Sequence, residues 1–368
     1  MPNRIARRKL LAAAPTLGIA GVTAGIRPAT AGDRPRQGTL RIGCLNVAAY
    51  SHLAASWGSI INPQADEVRL TGMRITHCWD IDPAGAKRFA RSFRCEAVQH
   101  YDDMLGKVYG IINGGYYNHG WNHILHAPYL EAGLPNLINR PLANSLAKAR
   151  TIVDTARKHD ASILVPSAFE HNNAVANANA WATGKKLISY SATNGAEDYP
   201  THGIHGLYMV FRTLVESGNP VVSVSYRAKS WHQPPGIMTF EHRDRNGRQF
   251  FGTLDQTGGW GTMRILAENE SPRHFAIEPG NVYPFSKTQV WAPTLWAFER
   301  MVRSRRMPQS YDQILNKNNI FLAGWRSILD NDGNPVRLDQ VPVDWEAPVE
   351  LPNRPGDPTV SQFEKHFG

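Results

Sequence analysis

Leu137-Ile138-Asn139-Arg140-Pro141-Leu142-Ala143-Asn144-Ser145 opens the segment whose reading decides the fold. Its start reads as a short buried strand over 137–139. Ser145 is a plausible N-cap, and Leu146, Ala149, Ile152, Val153 and Ala156 then recur at helical spacing through 145–159. Outward from this strand–helix unit the same alternation repeats. Strand-like runs occupy 39–47, 73–81, 109–113 and 162–165. A helix over 83–93 carries Ala84, Ala86, Phe89, Ala90 and Phe93, and a helix over 123–132 is stopped by Gly133 and Pro135. Strands alternating with helices over 39–165 predict an α/β domain with a parallel sheet covered on both faces.

Beyond about residue 166 the pattern changes. Runs at 187–191, 221–227, 236–242 and 248–254 are strand-like, and Asn246-Gly247 between the last two is a strong hairpin signal. A helix over 202–217 ends at Gly218, and one over 291–305 places Trp291, Leu295, Phe298 and Val302 on one face. Residues 166–340 therefore predict an α+β domain with an open, mostly antiparallel sheet and helices on one side. Residues 341–368, rich in Pro and Asp, form a tail that wraps the body or hangs from it.

The chain has 368 residues, enough for two domains, with 42% hydrophobic and 19% charged residues, an ordinary globular composition. Its formal charge of +9 is concentrated at the start: Arg4, Arg7, Arg8, Lys9 and Arg27 stand in 1–31 without an acid, so removing those five leaves +4. That residue of charge argues against nucleic acid and suits a small anionic or sugar ligand. Arg7-Arg8-Lys9-Leu10-Leu11, the apolar run to Ala24 and Ala29-Thr30-Ala31 read as a twin-arginine export signal over 1–31 with a small-residue cleavage site. The run is short and broken by Pro15, so no membrane span is expected there. A polar linker follows over 32–38. The expected location is periplasmic or secreted. The three cysteines, Cys44, Cys78 and Cys95, lack the spacing of a disulfide framework or zinc site and read as small core residues.

Trp79-Asp80-Ile81-Asp82-Pro83, Tyr101-Asp102-Asp103-Met104, Tyr129-Leu130-Glu131-Ala132-Gly133, the segment 139–156, and His202-Gly203-Ile204-His205-Gly206-Leu207, in this order and spacing, resemble the Gfo/Idh/MocA family of sugar-linked oxidoreductases over about Leu40 to Arg305. The resemblance implies an N-terminal Rossmann-like dinucleotide-binding domain, a substrate-holding second domain that often mediates oligomer contacts, NAD or NADP as cofactor, and a homo-oligomer. It also marks departures. Asn139-Arg140-Pro141 stands where the family carries Glu-Lys-Pro, and that Lys usually handles a proton beside the nicotinamide. Arg stays charged at any working pH and offers a fixed fork of donors, so Arg140 suits holding a carboxylate better than relaying a proton.

The first turn of such a domain asks for Gly-x-Gly-x-x-Gly, so that backbone can approach a pyrophosphate. Read from Gly43, the chain offers Gly43-Cys44-Leu45-Asn46-Val47-Ala48, with one glycine of the three. Gly43 and Asn46 are expected near the cofactor, or Gly43 is a strand-end glycine. Asp80, ending the second strand, suits a ribose hydroxyl and would favour NAD over NADP; alternatively it is a turn acid beside Asp82, the helix cap. Asn113 and Gly114 end the third strand where the family's loop meets the nicotinamide, joined by Asn139 and Arg140. Tyr116, Tyr117, His119, Trp121 and His123 extend a polar–aromatic surface suited to a sugar, or pack on the core. Trp231 and His232 follow a second-domain strand and are expected to line the same cleft, with Glu170, His171 and Asn172 as weaker cleft residues.

Asp198-Tyr199-Pro200-Thr201-His202-Gly203-Ile204-His205 is the richest cluster. His205 matches the family's catalytic histidine, and an imidazole titrates near neutrality. His202, on the same face of a helix begun there, and Tyr199 are the second candidates for proton transfer. The spacing also resembles the Tyr-Pro-Thr-His-Gly stretch of the family branch that hydrolyses glycosides through a transient keto sugar. No third ligand accompanies the two histidines, so no metal is expected. Three functions remain: an exported, NAD(P)-dependent carbohydrate oxidoreductase; a lyase or glycoside hydrolase on the same fold, with Arg140 on a uronate carboxylate; and a non-catalytic glycan-binding module.

Overall fold

Five apolar runs in the first half of the chain become parallel strands, joined by one short edge strand. In order, β1 (Leu40–Leu45), β2 (Met73–Trp79), β3 (Glu96–Ala97), β4 (Gly110–Asn113), β5 (Asn136–Ile138) and β6 (Ile163–Leu164) pair as β3-β2-β1-β4-β5-β6. The order reverses between β1 and β4, the topological switch point at which this architecture places ligands. The structure, a computed structural model, describes residues 38–48, 50–64, 67–194, 198–256, 261–276, 290–349 and 359–367. The expected export signal and most of the linker lie outside the described residues.

Gly43 sits inside β1, not at its end. A Cβ there would come within 2.8 Å of the Met104 sulfur and the Ile111 side chain. The glycine therefore lets the segment containing Met104 pack on the sheet. On one face Leu45, Trp79, Met104, Ile111 and Tyr129 form a compact core. On the other, Leu40, Ile42, Ile75 and Leu137 pack with α2 (Pro83–Phe93) and with Leu295, Phe298 and Val302 of α8 (Ala292–Ser304). A helix late in the chain thus completes the first domain. Cys44, Cys78 and Cys95 are free thiols within or beside this core.

The strand–helix unit that opened the sequence reading forms as β5 and α5 (Leu146–Lys158). The Ser145 hydroxyl accepts from the Lys148 amide at 3.3 Å, an N-cap worth about 1 kcal/mol. The predicted helix over 123–132 is instead two short ones, α3 (Asn122–Leu125) and α4 (Ala127–Glu131), divided at His126 ahead of Pro128.

The second sheet has the order β12-β11-β7-β10-β9-β8-β13. Only β7 (Leu187–Thr193) with β10 (Gln249–Asp255) is parallel. β8 (Val221–Ser230), β9 (Gln233–Arg243), β11 (Thr262–Ala267), β12 (Arg273–Ala276) and β13 (Val336–Arg337) pair antiparallel. The Asn246-Gly247 hairpin forms, with Gly247 at φ +77°. α6 (Asn173–Ala182) and α9 (Tyr311–Asp330) were not evident in the sequence. α9 starts from a Ser310–Gln313 capping box and packs along β8. Its Lys317 is fully buried on Glu170 (2.8 Å) and on the Val165 carbonyl of the first domain (2.9 Å), so Glu170 holds a buried ammonium that ties α9 to the end of the first sheet. The tail wraps: Ala347 N–H donates to the Asn144 carbonyl, and α10 (Val360–Phe367) sets Phe363 on Trp121 and His366 and Phe367 against Trp79. Among the described residues, no helix is long and apolar enough to cross a membrane.

Candidate active site

Asn46, Asn113, Asn139 and Arg140 project from the carboxyl ends of β1, β4 and β5, where they form one buried polar seam. The Asn46 amide donates to Asn113 Oδ1 (3.0 Å), and Asn113 Nδ2 reaches Asn122 Oδ1 (3.1 Å) and His126 Nε2 (3.0 Å). Asn139 Nδ2 donates to the carbonyls of Gly114 (3.1 Å) and Gly115 (3.0 Å). The turn after β1 begins at Asn46, whose φ is +52°. The glycine frame read from Gly43 is therefore three residues early. The three glycine positions are Asn46, Ala48 and Ser51, and none holds a glycine.

Arg140 is 3% exposed and its guanidinium is shared among four groups. Nη1 donates to Asn139 Oδ1 (2.7 Å) and His52 Nε2 (2.5 Å); Nη2 donates to the Thr201 carbonyl (3.0 Å) and His205 Nε2 (2.7 Å). Because a guanidinium cannot accept, both imidazoles must accept at Nε2 and carry their proton on Nδ1. His205 Nδ1–H then donates to Ser167 Oγ (2.7 Å), and His52 Nδ1–H to the Tyr116 hydroxyl (3.2 Å). Burial first, then the Arg140 charge, pulls both imidazoles well below their ordinary range, so they stay neutral. Burial also draws Arg140 down, to about 10, and it remains a cation at neutral pH. This bears on two expectations. His205 accepts from Arg140 at Nε2, and burial and that charge lower its pKa. Both terminal nitrogens of Arg140 are committed while its Nε has no partner among the described residues, and no open space separates Arg140 from His205.

His202 behaves differently because the helix begins as a π-turn, Tyr199–Gly203, before α7 (Ile204–Val210). The turn breaks the shared face: His205 points inward while the His202 side chain is 27% exposed. Asp198 caps the turn, accepting from the Thr201 amide (2.6 Å) and from Thr201 Oγ1 (2.7 Å to either oxygen). With its one proton given to Asp198, Thr201 Oγ1 must accept from His202 Nδ1–H (2.7 Å). The order is imidazole, hydroxyl, carboxylate, and it leaves Nε2 as the basic atom. Burial alone would raise the Asp198 carboxyl; hydrogen bonds from His202 and Thr201 outweigh it and hold the group below its usual range. The Tyr117 hydroxyl donates to Asp198 Oδ2 (3.2 Å), and burial and Asp198 raise its pKa. Tyr50 meets Tyr117 edge-on at 5.4 Å.

The remaining expected residues divide. Tyr116 and Tyr117 are half-buried between the seam and the Asp198 turn. Trp231 and His232 stack on each other beside that turn, the Trp231 carbonyl accepting from the Tyr199 amide (2.9 Å). Tyr199 is core: fully buried, stacked between Tyr226 and Phe321, its hydroxyl donating to the Phe321 carbonyl (2.8 Å). His119 is buried against Trp325, and Trp121 is covered by Phe363 of α10. His123 is half-buried near Lys148 and Glu346, away from His202. Asp80 is buried at the β1 turn, not turned outward: Oδ2 accepts from the Ala48 amide (2.8 Å) and Oδ1 from the Asp82 amide (2.9 Å). His52, Thr201 and Ser167 escaped the sequence reading. Only Thr201 carried a signal, as the third residue after a capping Asp.

Residues 48–167 match the model of GFO_IDH_MocA, described as "Oxidoreductase family, NAD-binding Rossmann fold". No curated protein matches the chain. Among solved structures, myo-inositol dehydrogenase from Lactobacillus casei, in complex with NAD(H) and myo-inositol, superposes with a TM-score of 0.65 at 14% identity, over 86% of this chain and 99% of that one. Apo scyllo-inositol dehydrogenase from the same organism gives 0.65 at 11% identity, over 82% and 99%. An oxidoreductase from Agrobacterium radiobacter, in complex with NAD+, L-tartaric acid and magnesium, gives 0.59 at 14%, over 82% and 98%. These likenesses establish the two-domain fold.

Proposed function

We propose that this chain, whose residues 48–167 match the oxidoreductase-family model, is an exported enzyme acting on a carbohydrate or related polyhydroxy compound, with His202 as its acid/base. One observation carries the reading: a partly exposed imidazole is backed, through Thr201, by a largely covered carboxylate. That is the base–orienter logic of acid/base sites, with the base partly exposed to solvent. Through Thr201, Asp198 fixes the tautomer and orientation of His202. Tyr117 stays protonated and donates to the same carboxylate, so it holds Asp198 rather than competing as a base. Tyr50, Tyr116 and Tyr117 supply aromatic faces with polar edges, the surface a sugar ring prefers.

The substrate class draws on the fold's neighbours, among them complexes with myo-inositol and with L-tartaric acid, both polyhydroxylated. Export draws on the twin arginines at Arg7 and Arg8. A dinucleotide, when bound to this fold, supplies the hydride acceptor; the steps assigned to this chain are proton transfer at His202 Nε2 and its support by Thr201 and Asp198. The test is a panel of sugars, uronates and polyols, read by thermal shift and product mass spectrometry with wild type and His202→Ala. A hit processed by wild type and bound but not processed by His202→Ala supports the reading. Equal turnover by both proteins ends it.

A further inference from the structure

We infer that this chain does not hold a dinucleotide in the β1–β4 crevice, and that its reaction at His202 is redox-neutral. The inference takes the place of the chemistry from the proposed function and parts from the family on the cofactor. A dinucleotide on this fold needs three things at the switch point: a bare turn after β1, an acid at the end of β2 open to a ribose, and a gap between the loops after β1 and β4. Asn46, Thr201-linked Arg140, Asp80 and Gly114 bear on all three.

The turn is not bare. Asn46, Ala48 and Ser51 hold the glycine positions, and the Asn46 amide is tied to Asn113. The Ala48 amide, one of the donors such a turn would offer, is given to Asp80. Asp80 is 5% exposed, with each oxygen accepting a backbone amide, so the ribose acid is used by the turn it should face across a ligand. The gap is closed by the backbone itself. Ser51 and Gly115 form a bridge, His52 N–H donates to the Gly114 carbonyl (2.9 Å) and Tyr116 N–H to the Tyr50 carbonyl (2.9 Å). A Cβ on Gly114 would lie 2.4 Å from Ser51 Oγ and 2.8 Å from Leu53. The close approach that a glycine permits is therefore taken by the chain's own β1 loop. Beyond it, the His52 ring lies 4.8 Å from Trp57, 4.6 Å from Tyr116 and 4.8 Å from Trp291, with Arg140 locked beneath. A nicotinamide entering there would displace packed rings and leave a buried cation and two imidazoles unpaired.

Most of these groups satisfy one another, although among the described residues Asn46 Oδ1 and Arg140 Nε are buried without a partner, so opening the crevice breaks an existing hydrogen-bond network. Without a hydride acceptor, proton removal by His202 must be matched by return of a proton, with no net change in oxidation level.

The experiment uses natively purified, folded full-length mature protein. Acid-released supernatant is examined by mass spectrometry for NAD and NADP, and NADH and NADPH are titrated by fluorescence to about 1 mM, the upper end of ordinary constants. The expected result is no released dinucleotide, no saturable fluorescence change, and, for any sugar processed, products whose summed mass equals that of substrate or differs by water. A bound dinucleotide, saturable NADH or NADPH binding, or a product two hydrogens lighter overturns the inference. The sugar panel reads the proposed function separately. A sugar hit without dinucleotide binding supports both. Dinucleotide binding overturns this inference alone. Neither ligand binding supports it while removing the proposed substrate class.

Discussion

The β1–β4 crevice and the Asp198 turn both gather polar side chains at the carboxyl edge of the parallel sheet, yet they spend them in opposite ways. In the crevice most strong groups face one another: Asp80 two amides, Arg140 two imidazoles, a carbonyl and Asn139, and Asn113 two neighbours, with Asn46 Oδ1 and Arg140 Nε left over among the described residues. At the Asp198 turn a partly exposed imidazole donates inward to Thr201, which donates to the Asp198 carboxylate. A buried network that closes on itself rigidifies a fold; one with an end at the surface can exchange a proton with a ligand. On the function proposed above, the chemistry of this chain is sought at the second place rather than the first.

The largest effect that separates them is acid stability. His52, His119, His126, His205 and His242 are all at most 5% exposed. Burial holds His52 and His205 well below the ordinary imidazole range and the other three at about 4. Unfolded imidazoles titrate near about 6.5, so between there and about 4 the unfolded chain binds more protons, and stability falls as pH falls. Each such group contributes up to about 1.4 kcal/mol per pH unit. Asp80, raised to about 6 by burial, has the opposite sign: its contribution is present at low pH and is lost as pH rises through that value. Five groups against one predict that tryptophan fluorescence and circular dichroism report unfolding before pH 4. Asp198, held low, loses its contribution only below the ordinary carboxylate range. Unchanged stability from pH 7 to pH 4 would mean that the crevice is wet and open.

Next comes His202→Ala. A positioned general base contributes about 10²–10⁴-fold, so kcat is expected to fall by that factor with KM little changed and thermal stability nearly unaffected. His205→Ala should do the reverse, lowering stability by removing the partner of Arg140 and Ser167. If His205→Ala abolishes turnover in a protein of normal stability while His202→Ala is mild, the two histidines have been assigned the wrong way round.

The sequence made the fold legible where pattern and burial coincide. Leu146, Ala149, Ile152, Val153 and Ala156 mark α5 because one face of it is buried. Asn246-Gly247 marks the hairpin because the turn demands that backbone. α9 was missed because Lys317, Asn318 and Ser327 are buried in it beside Phe321 and Trp325, which erases the apolar stripe. At the site, Asp198 through His205 was visible as a cluster, but the π-turn that sends His202 and His205 in different directions leaves no periodic signal. Nor could spacing reveal that Arg140 would be met by His52, a residue 88 positions away. A change of Lys to Arg suggested a new ligand contact; in the folded chain it is instead the centre of the seal.

Arg140→Ala tests that seal with a smaller effect. It strands two imidazole nitrogens, the Thr201 carbonyl and Asn139 Oδ1 without a donor, and unmet buried acceptors cost about 1–3 kcal/mol each before relaxation. A net loss of roughly 3 kcal/mol in urea unfolding is expected. Arg140→Lys, a point charge without the fork, should recover only part of it. Full stability in Arg140→Ala would show that the network is not closed, and the dinucleotide argument would lose its strongest support.

The finest test compares adjacent tyrosines on either side of the divide. Tyr117→Phe removes one donor from Asp198 Oδ2 and leaves both Thr201 donors in place. Loss of a single hydrogen bond to a charged acceptor predicts about 1.5 kcal/mol or less, roughly tenfold in kcat/KM at most. The Asp198 carboxyl should move up toward its ordinary value, carrying the acid limb of the pH–rate profile upward with it. Tyr116→Phe removes the acceptor of His52 Nδ1–H inside the seam, so it should cost stability of similar size and leave the pH–rate profile where it was. The two variants differ by one oxygen each, on neighbouring residues. If they shift the same observable, the crevice and the Asp198 turn are one network.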